Sequence, residues 1–188
     1  MTRDEQIAQL LWPPELATRG AEIYAVLDGA QDRRIHLQVR SSPLAWRCLY
    51  AGVLPTELLA VAPYLVHMQP DAAFTRETIA MGWGRAWGIW MVSAAPFDEL
   101  HRHLRRFLKV RDEAGRRMLF RYYDPIVLAS FLPTCTVAEL AELYGPIDAF
   151  LLETESAAAV SELRFDGVEL HARVREPREP RLEAPSCW

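Results

Sequence analysis

The sequence predicts a mixed α/β (α+β) fold: a mixed sheet with flanking helices in an N-terminal lobe, then a small C-terminal lobe that contains a hairpin. Compact apolar runs, typical of buried strands, alternate with segments of helical spacing through the first hundred residues. An Asp-Gly pair lies between two alternating runs near the end of the chain, which indicates the hairpin. The chain has 188 residues, 51% of them hydrophobic, so it can bury a core of ordinary size.

The first half of the chain predicts a leader helix and three buried strands. Within residues 1–20, apolar residues recur at helical spacing until a Pro-Pro pair ends the pattern. The three strand candidates are "AEIYAVLDGA" (21–30), "PYLVHM" (63–68) and "WGIWMVS" (87–93). We expect helices between them at 56–62 and 73–81, whereas residues 33–40 fit a strand or a helix.

The clearest amphipathic helix is predicted over residues 96–110, "PFDELHRHLRRFLKV". Its apolar side chains fall on one side and its basic side chains on the other. The turn at 111–116 contains Asp, Glu and Gly, so we expect it to reverse the chain into a return strand, "RMLFRYY" (117–123). On such a strand Arg121 would face away from Phe120 and Tyr122.

The last third of the chain predicts helices, a strand and the hairpin. "PIVLASFL" and "TVAELAELYG" are helical, and the second has a capping box at Thr136 and Glu139 and a stop at Gly145. "IDAFLLE" is a strand candidate, and the hairpin is expected over 161–174. The predicted units are therefore a leader helix (1–20), a main domain (21–148), a small C-terminal lobe (149–174) and a flexible tail (175–188) that is charged and proline-rich.

Composition narrows the function classes. The formal net charge of −4 does not favour a nucleic-acid partner, because such domains usually carry a basic excess. The three cysteines are far apart in the sequence and form no CxxC pair, which favours a reducing compartment. The N-terminus lacks the basic start and long apolar centre of a signal peptide, so we expect the protein in the cytoplasm. No uninterrupted apolar run reaches about 18 residues, so we expect neither a membrane span nor a membrane partner.

The sequence offers little support for catalysis. His101 and His103 are two residues apart on a helix and diverge, so we expect no metal and no cofactor, and we place both on the solvated flank of the helix. A small hydrolase or nuclease that uses Asp28, Asp124 and one of the histidines is the alternative, and it requires these side chains to converge in one cleft. Both aspartates precede Gly or Pro at strand ends, where Asx side chains commonly cap turns. The motifs of nucleophile elbows, P-loops and dinucleotide-binding folds are absent.

A basic segment is the most distinctive feature. Residues 101–121 contain eight Arg or Lys and two acidic residues, whereas the remaining chain has thirteen against twenty-three. The segment is either a docking face for an acidic partner or a solvated helix face, and the sequence does not decide between them. The contact candidates are Arg102, Arg105, Arg106, Lys109 and Arg111. Trp83 joins them as the tryptophan most suited to the surface, while Trp87 and Trp90 are expected in the core.

Six segments in order form a recognisable set: "YAVLDGA" (24–30), "APYLV" (62–66), "WGIWMVS" (87–93), "LHRHLRRFLKV" (100–110), "FRYYDP" (120–125) and "YGPID" (144–148). Together they resemble the type VI secretion effector chaperones, or adaptors, whose shared module is domain of unknown function 4123. The resemblance spans residues 21–148.

The resemblance implies a non-enzymatic bacterial protein of the cytoplasm. Such a protein binds and stabilises a cognate type VI secretion effector and helps to load it onto the VgrG spike. The motif residues Asp28, Arg121, Tyr122, Asp124 and Pro125 would then define the fold, with Arg121 and Asp124 fixing the turn from hairpin to helix. Many relatives have a longer C-terminal lobe, so the resemblance does not say how this chain holds its effector.

Overall fold

The computed structural model describes residues 1–111 and 115–177. The helices are α1 (Arg3–Leu11), α2 (Glu15–Thr18), α3 (Arg33–Ser41), α4 (Thr56–Ala60), α5 (Ala73–Gly82), α6 (Phe97–Arg106), α7 (Pro125–Phe131) and α8 (Val137–Tyr144), with a 3₁₀ turn at Leu132–Thr134. The strands are β1 (Glu22–Asp28), β2 (Trp46–Cys48), β3 (Pro63–Met68), β4 (Gly88–Ser93), β5 (Lys109–Arg111), β6 (Arg117–Leu119), β7 (Ala149–Glu153), β8 (Val160–Phe165) and β9 (Leu170–Arg175). The predicted mixed α/β class is confirmed.

Seven strands form one sheet in the order β2-β3-β1-β4-β7-β8-β9, and β5 and β6 form a separate ribbon. Neighbouring strands of the large sheet are antiparallel, a direction that the sequence left open. Alternation of strands and helices along the chain does not specify strand direction, because a helix can also connect antiparallel strands.

Helices cover both faces of the sheet, and each face has its own apolar core. On one face, Ile23 and Ala25 of β1 pack in a cluster with side chains of α1, α3 and α5. On the other, Tyr24 and Val26 pack in a cluster with side chains of α6, α7 and α8. Because successive residues of a strand point to opposite faces, the apolar run of β1 supplies both cores at once. The predicted leader helix belongs to the first core, where Ile7 is fully buried.

Two local predictions around the basic helix are wrong. The helix ends at Arg106, and residues 109–111 form a strand that pairs with β6. The apolar spacing at the end of this segment fits both conformations, and the pairing of Lys109 with Leu119 decides for the strand. The return strand ends at Leu119, because the Asp124 amide donates to the Arg121 carbonyl at 3.0 Å and turns the chain. Tyr122 and Tyr123 are consequently both buried rather than on opposite faces.

The predicted Asp-Gly hairpin is confirmed, since β8 and β9 pair in antiparallel register. β8 also pairs with β7, so the hairpin extends the main sheet. The predicted tail begins too early, because Arg175 still belongs to β9. The remainder of that tail, 178–188, lies outside the described residues. Among the helices of the described residues, none has the length and apolar character needed to cross a membrane.

Candidate partner-binding surface

Helix α6 is built with one buried side and one basic side. It begins after Pro96, has Asp98 and Glu99 in its first turn and ends on Arg105 and Arg106. Acidic residues at the N-terminus and basic residues at the C-terminus complement the helix dipole, so the charge order itself favours the helix. Leucines on the inner side anchor α6 on the sheet. The basic side chains are thereby held outward on a rigid element.

His101 and His103 are buried, which corrects their predicted place on the solvated flank. The Nε2 atom of His101 lies 2.9 Å from the Cys48 carbonyl oxygen, and that of His103 lies 2.8 Å from the Leu143 carbonyl oxygen. A carbonyl oxygen only accepts, so each Nε2 carries a proton and donates it. Burial lowers the pKa of both imidazoles, and both are therefore held neutral. These hydrogen bonds connect α6 to β2 and to α8.

Four of the predicted contact residues lie at the surface. Arg102, Arg105, Arg106 and Lys109 are all exposed. Arg106 makes an ion pair with Glu142 at 3.1 Å, and its guanidinium lies 5.8 Å from the centre of the Phe107 ring. The exposed ion pair is screened by water and holds Arg106 only weakly. The outer side of α6 and the start of β5 therefore present a cationic surface, here called the α6 basic surface.

The two other contact candidates do not belong to this surface as described. Arg111 lies in β5, but its side chain falls outside the described residues. Trp83 is only 4% exposed, so its predicted place at the surface is wrong. It follows the last turn of α5 and packs edge-on against Trp90 at 6.3 Å in the core. Trp87 and Trp90 are buried as predicted.

Asp28, Arg121 and Asp124 form one cluster at the end of β1. The Arg121 Nη2 atom donates to Asp28 Oδ2 at 2.7 Å and lies 3.7 Å from Asp124 Oδ2. Asp28 is 1% exposed, and its Oδ1 accepts from the Ala30 amide at 3.0 Å, which is the turn-capping role expected of it. The Asp124 side chain caps α7 by accepting from the Ile126 amide at 3.0 Å. The cluster thus joins the end of a sheet strand to the start of a helix.

Tyr122 and Pro125 complete the connection. The Tyr122 hydroxyl donates to the Leu104 carbonyl of α6 at 2.9 Å, while Pro125 occupies the first turn of α7, where its missing amide proton costs nothing. Burial raises the pKa of the Tyr122 phenol well above its ordinary value. These contacts hold α6, the end of β1 and the start of α7 together.

The two histidines and two aspartates of the hydrolase alternative make their hydrogen bonds to different partners. The histidines donate to backbone carbonyls on β2 and α8, whereas Asp28 and Asp124 face Arg121 and backbone amides. Within the described residues, no hydrogen bond joins either aspartate to either histidine, and no cluster of three or more His, Cys, Asp or Glu is placed to hold a metal ion.

A family model described as "Domain of unknown function (DUF4123)" matches residues 23–142, well over half of the 188-residue chain. The chain belongs to the DUF4123 family. Neither a curated protein nor a solved structure matches it. The DUF4123 match contains the strands β1–β4, the ribbon, α6 and α7, and with them the whole Asp28–Arg121–Asp124 cluster.

The sequence analysis did not predict a cluster of charged side chains around the buried Glu162, which lies beyond the DUF4123 match. Glu162 accepts from Arg164 Nε at 2.5 Å and from Arg175 Nε at 2.8 Å. Arg175 also donates to the Leu10 carbonyl at 2.7 Å, which ties β9 to α1. Burial acts to raise the pKa of Glu162, but the hydrogen bonds from the two arginines outweigh it, so the pKa is lowered. Residues two positions apart in a strand share a face, so the spacing of Glu162 and Arg164 could have predicted their ion pair.

A groove of about 950 Å³ lies beside this cluster. Its walls are α1, the segment that follows α1, and the ends of β8 and β9, and they include Trp12, Arg173 and His171. Sequence spacing could not reveal it, because its two walls come from opposite ends of the chain.

Proposed function

We propose that this DUF4123 protein is a non-enzymatic chaperone, or adaptor, that binds and stabilises a cognate type VI secretion effector and helps to load it onto the VgrG spike. It acts in the bacterial cytoplasm before secretion. The observation that carries the proposal is the α6 basic surface, where Arg102, Arg105 and Arg106 point outward from a helix fixed in the core. The resemblance of the chain to effector chaperones supports the same role.

The physical role of the α6 basic surface is to steer and orient an acidic partner. Complementary surface charge raises the association rate and selects the orientation of the encounter, and its effect falls with ionic strength. Side chains on a rigid helix lose little backbone entropy on binding, so the surface is suited to recognition. The protein as a whole is acidic, with a net charge of −4, so the basic segment that contains α6 contrasts with the rest of the chain.

A catalytic role has no comparable support. The candidate base and its partners are committed to holding α6, β2, α8 and the start of α7 in place. We therefore propose no enzymatic activity. Substrate cleavage that is lost on replacing Asp28 or His101, with the fold retained, would contradict this part of the proposal.

The test is co-expression with the protein encoded by the neighbouring reading frame, followed by co-purification. Wild-type protein is expected to form a stable heterocomplex and to keep the effector soluble. The triple substitution Arg102→Glu, Arg105→Glu and Arg106→Glu should lower the affinity at least tenfold. The matched control is Arg33→Glu, Arg40→Glu and Arg76→Glu, which changes the net charge equally on exposed positions of α3 and α5, across the sheet.

Circular dichroism must show both triple variants folded, because glutamate in the last turn of α6 opposes the helix dipole. Equal loss of binding in the two variants would mean that net charge alone, and not the α6 basic surface, sets the affinity. Failure of every neighbouring effector candidate to co-purify with the wild type would contradict the adaptor role.

A further inference from the structure

Helix α7 and strand β6 expose uncharged side chains next to the α6 basic surface. Residues 125–138 contain no charged side chain. Ile126 is nevertheless 70% exposed, and Val127, Phe131 and Leu119 are exposed as well. A short helix on a protein surface normally directs polar side chains outward, so several outward apolar residues in one place indicate a contact surface.

Contacts between side chains join the end of β6 to α7. The rings of Phe120 and Phe131 meet edge-on with their centres 4.7 Å apart, which joins the end of β6 to α7. Val127 lies one helical turn before Phe131 and on the same side of α7. Leu119 directly precedes Phe120 in the chain. We call Leu119, Phe120, Ile126, Val127 and Phe131 the α7–β6 apolar surface.

Cations border the α7–β6 apolar surface on the side of α6. Lys109 is paired with Leu119 across the β5–β6 ribbon and is exposed. A chain of ring contacts continues from Phe120 through Tyr122 to Phe107, at 5.9 and 6.5 Å between centres, and Arg106 lies over the Phe107 ring. The apolar centre and its charged edge are therefore connected by packed side chains. An apolar centre with a polar rim is the usual composition of a protein–protein interface.

We propose that the α7–β6 apolar surface and the adjoining Lys109 and Arg106 form the docking site for an acidic amphipathic helix of a protein partner. The apolar stripe of that helix would cover α7 and β6, and its carboxylates would face the cations of α6 and β5. A basic helix would meet like charges at the same edge. The identity of this partner as the secretion effector rests on the proposed function, whereas the chemistry of the site does not.

The probe is a synthetic, fluorescently labelled 18-residue helical peptide with a leucine stripe and glutamates on its polar face. A twin peptide carries lysines in place of the glutamates, and binding is followed by fluorescence anisotropy at low and moderate salt. Wild-type protein should bind the glutamate peptide at least tenfold more tightly than the lysine peptide. Equal affinity for the two peptides, or no binding of the glutamate peptide, would overturn the proposal.

The surface is tested with the double variant Ile126→Asp and Val127→Asp. Both positions lie in the first turn of α7, where aspartate favours the helix, so the variant is expected to fold. The control pair is Leu37→Asp and Val168→Asp, which are exposed apolar positions on α3 and in the β8–β9 turn and carry the same charge change. The α7 variant should weaken peptide binding at least tenfold and the control pair less than twofold, whereas equal effects would refute the assigned surface.

The same variants separate this inference from the proposed function. If wild type and the α7 variant co-purify an effector equally well and neither binds the glutamate peptide, the docking site is wrong and the adaptor role stands. If the glutamate peptide binds through α7 but no effector candidate co-purifies, the docking site stands and the adaptor role fails. A wild-type dimer that the α7 variant converts to a monomer, without peptide binding, would assign the surface to a second copy of the chain and overturn the proposal.

Discussion

Replacing Arg121 by alanine removes the guanidinium that neutralises a buried carboxylate. Asp28 is 1% exposed, and among the described residues its side chain would keep the hydrogen bond from the Ala30 amide. Hydrogen bonds to charged groups contribute about 1.5–3 kcal/mol, and breaking a fully buried ion pair costs about 3–5 kcal/mol. The Arg121 side chain is 43% exposed, so water can reach Asp28 after the truncation and reduce the cost. We expect the free energy of unfolding to fall by about 2–3 kcal/mol.

Urea denaturation followed by tryptophan fluorescence measures this loss, and the melting temperature should fall by about 5–10 °C for a chain of this length. Arg102→Ala is the matched control, because Arg102 is exposed and its Nε donates to the Asp98 carbonyl at 3.3 Å, a backbone group rather than a buried carboxylate. It should change the unfolding free energy by less than about 0.5 kcal/mol.

A double-mutant cycle with Asp28→Ala isolates the pair. Once Asp28 is alanine, replacing Arg121 should cost no further stability. The coupling free energy of the pair then equals the loss expected for Arg121→Ala alone, about 2–3 kcal/mol. An Arg121→Ala protein within about 0.5 kcal/mol of wild type, or a coupling near zero, would refute the reasoning.

Three further changes test other parts of the fold. Glu162→Gln should lower the free energy of unfolding by about 3 kcal/mol in urea titrations, because it leaves the half-buried Arg175 without its counter-charge. Gly145→Ala should lower the free energy of unfolding by about 2 kcal/mol or more in the same assay, since φ is +46° there and an added Cβ would clash with the His103 ring. His103→Gln should reduce the loss of stability between pH 6.5 and 5, by at most about 1.4 kcal/mol per pH unit, because glutamine keeps a donor for the Leu143 carbonyl but does not titrate.

The sign of the pH effect follows from burial, which lowers the pKa of His103 in the folded chain. Above about pH 6.5 the imidazole is neutral in both states, and its contribution is fully present. As the pH falls, the unfolded chain takes up the proton first and stability is lost until the folded pKa is passed. A His103→Gln protein with the wild-type pH profile would contradict this account. For Glu162→Gln, the change Glu155→Gln at an exposed position is the control for charge.

Features that depend on neighbouring residues were predictable. The capping box of Thr136 and Glu139, the Asp-Gly hairpin and the strand over 149–153 follow from short-range hydrogen bonds and alternation. The sequence did not decide whether residues 33–40 form a strand or a helix. They belong to α3, where the buried side chains of Ile35 and Val39 lie one turn apart and pack against the sheet. The end of α6 was misplaced, since the strand there depends on a partner strand.

The candidate surface was predicted only in part. Four exposed cations of the α6 basic surface were correctly placed at the surface because charge and helical spacing decide that outcome locally. The burial of Trp83 and the histidines was not predictable, because it depends on which polar groups or rings from distant segments meet them in the core. The α7–β6 apolar surface was missed for the same reason: apolar side chains in a helical segment are normally assigned to the core.

The sequence by itself determined the mixed α/β class, the Asp-Gly hairpin, the helix caps and the concentration of positive charge in one segment, because each depends on residues a few positions apart. Only the tertiary structure decided the antiparallel order of the sheet, the Asp28–Arg121 pair across 93 positions and the exposure of α7. Burial and long-range pairing depend on the whole packing arrangement. Local sequence patterns limit which helices and strands can form, and the packing of lowest free energy determines how they are arranged.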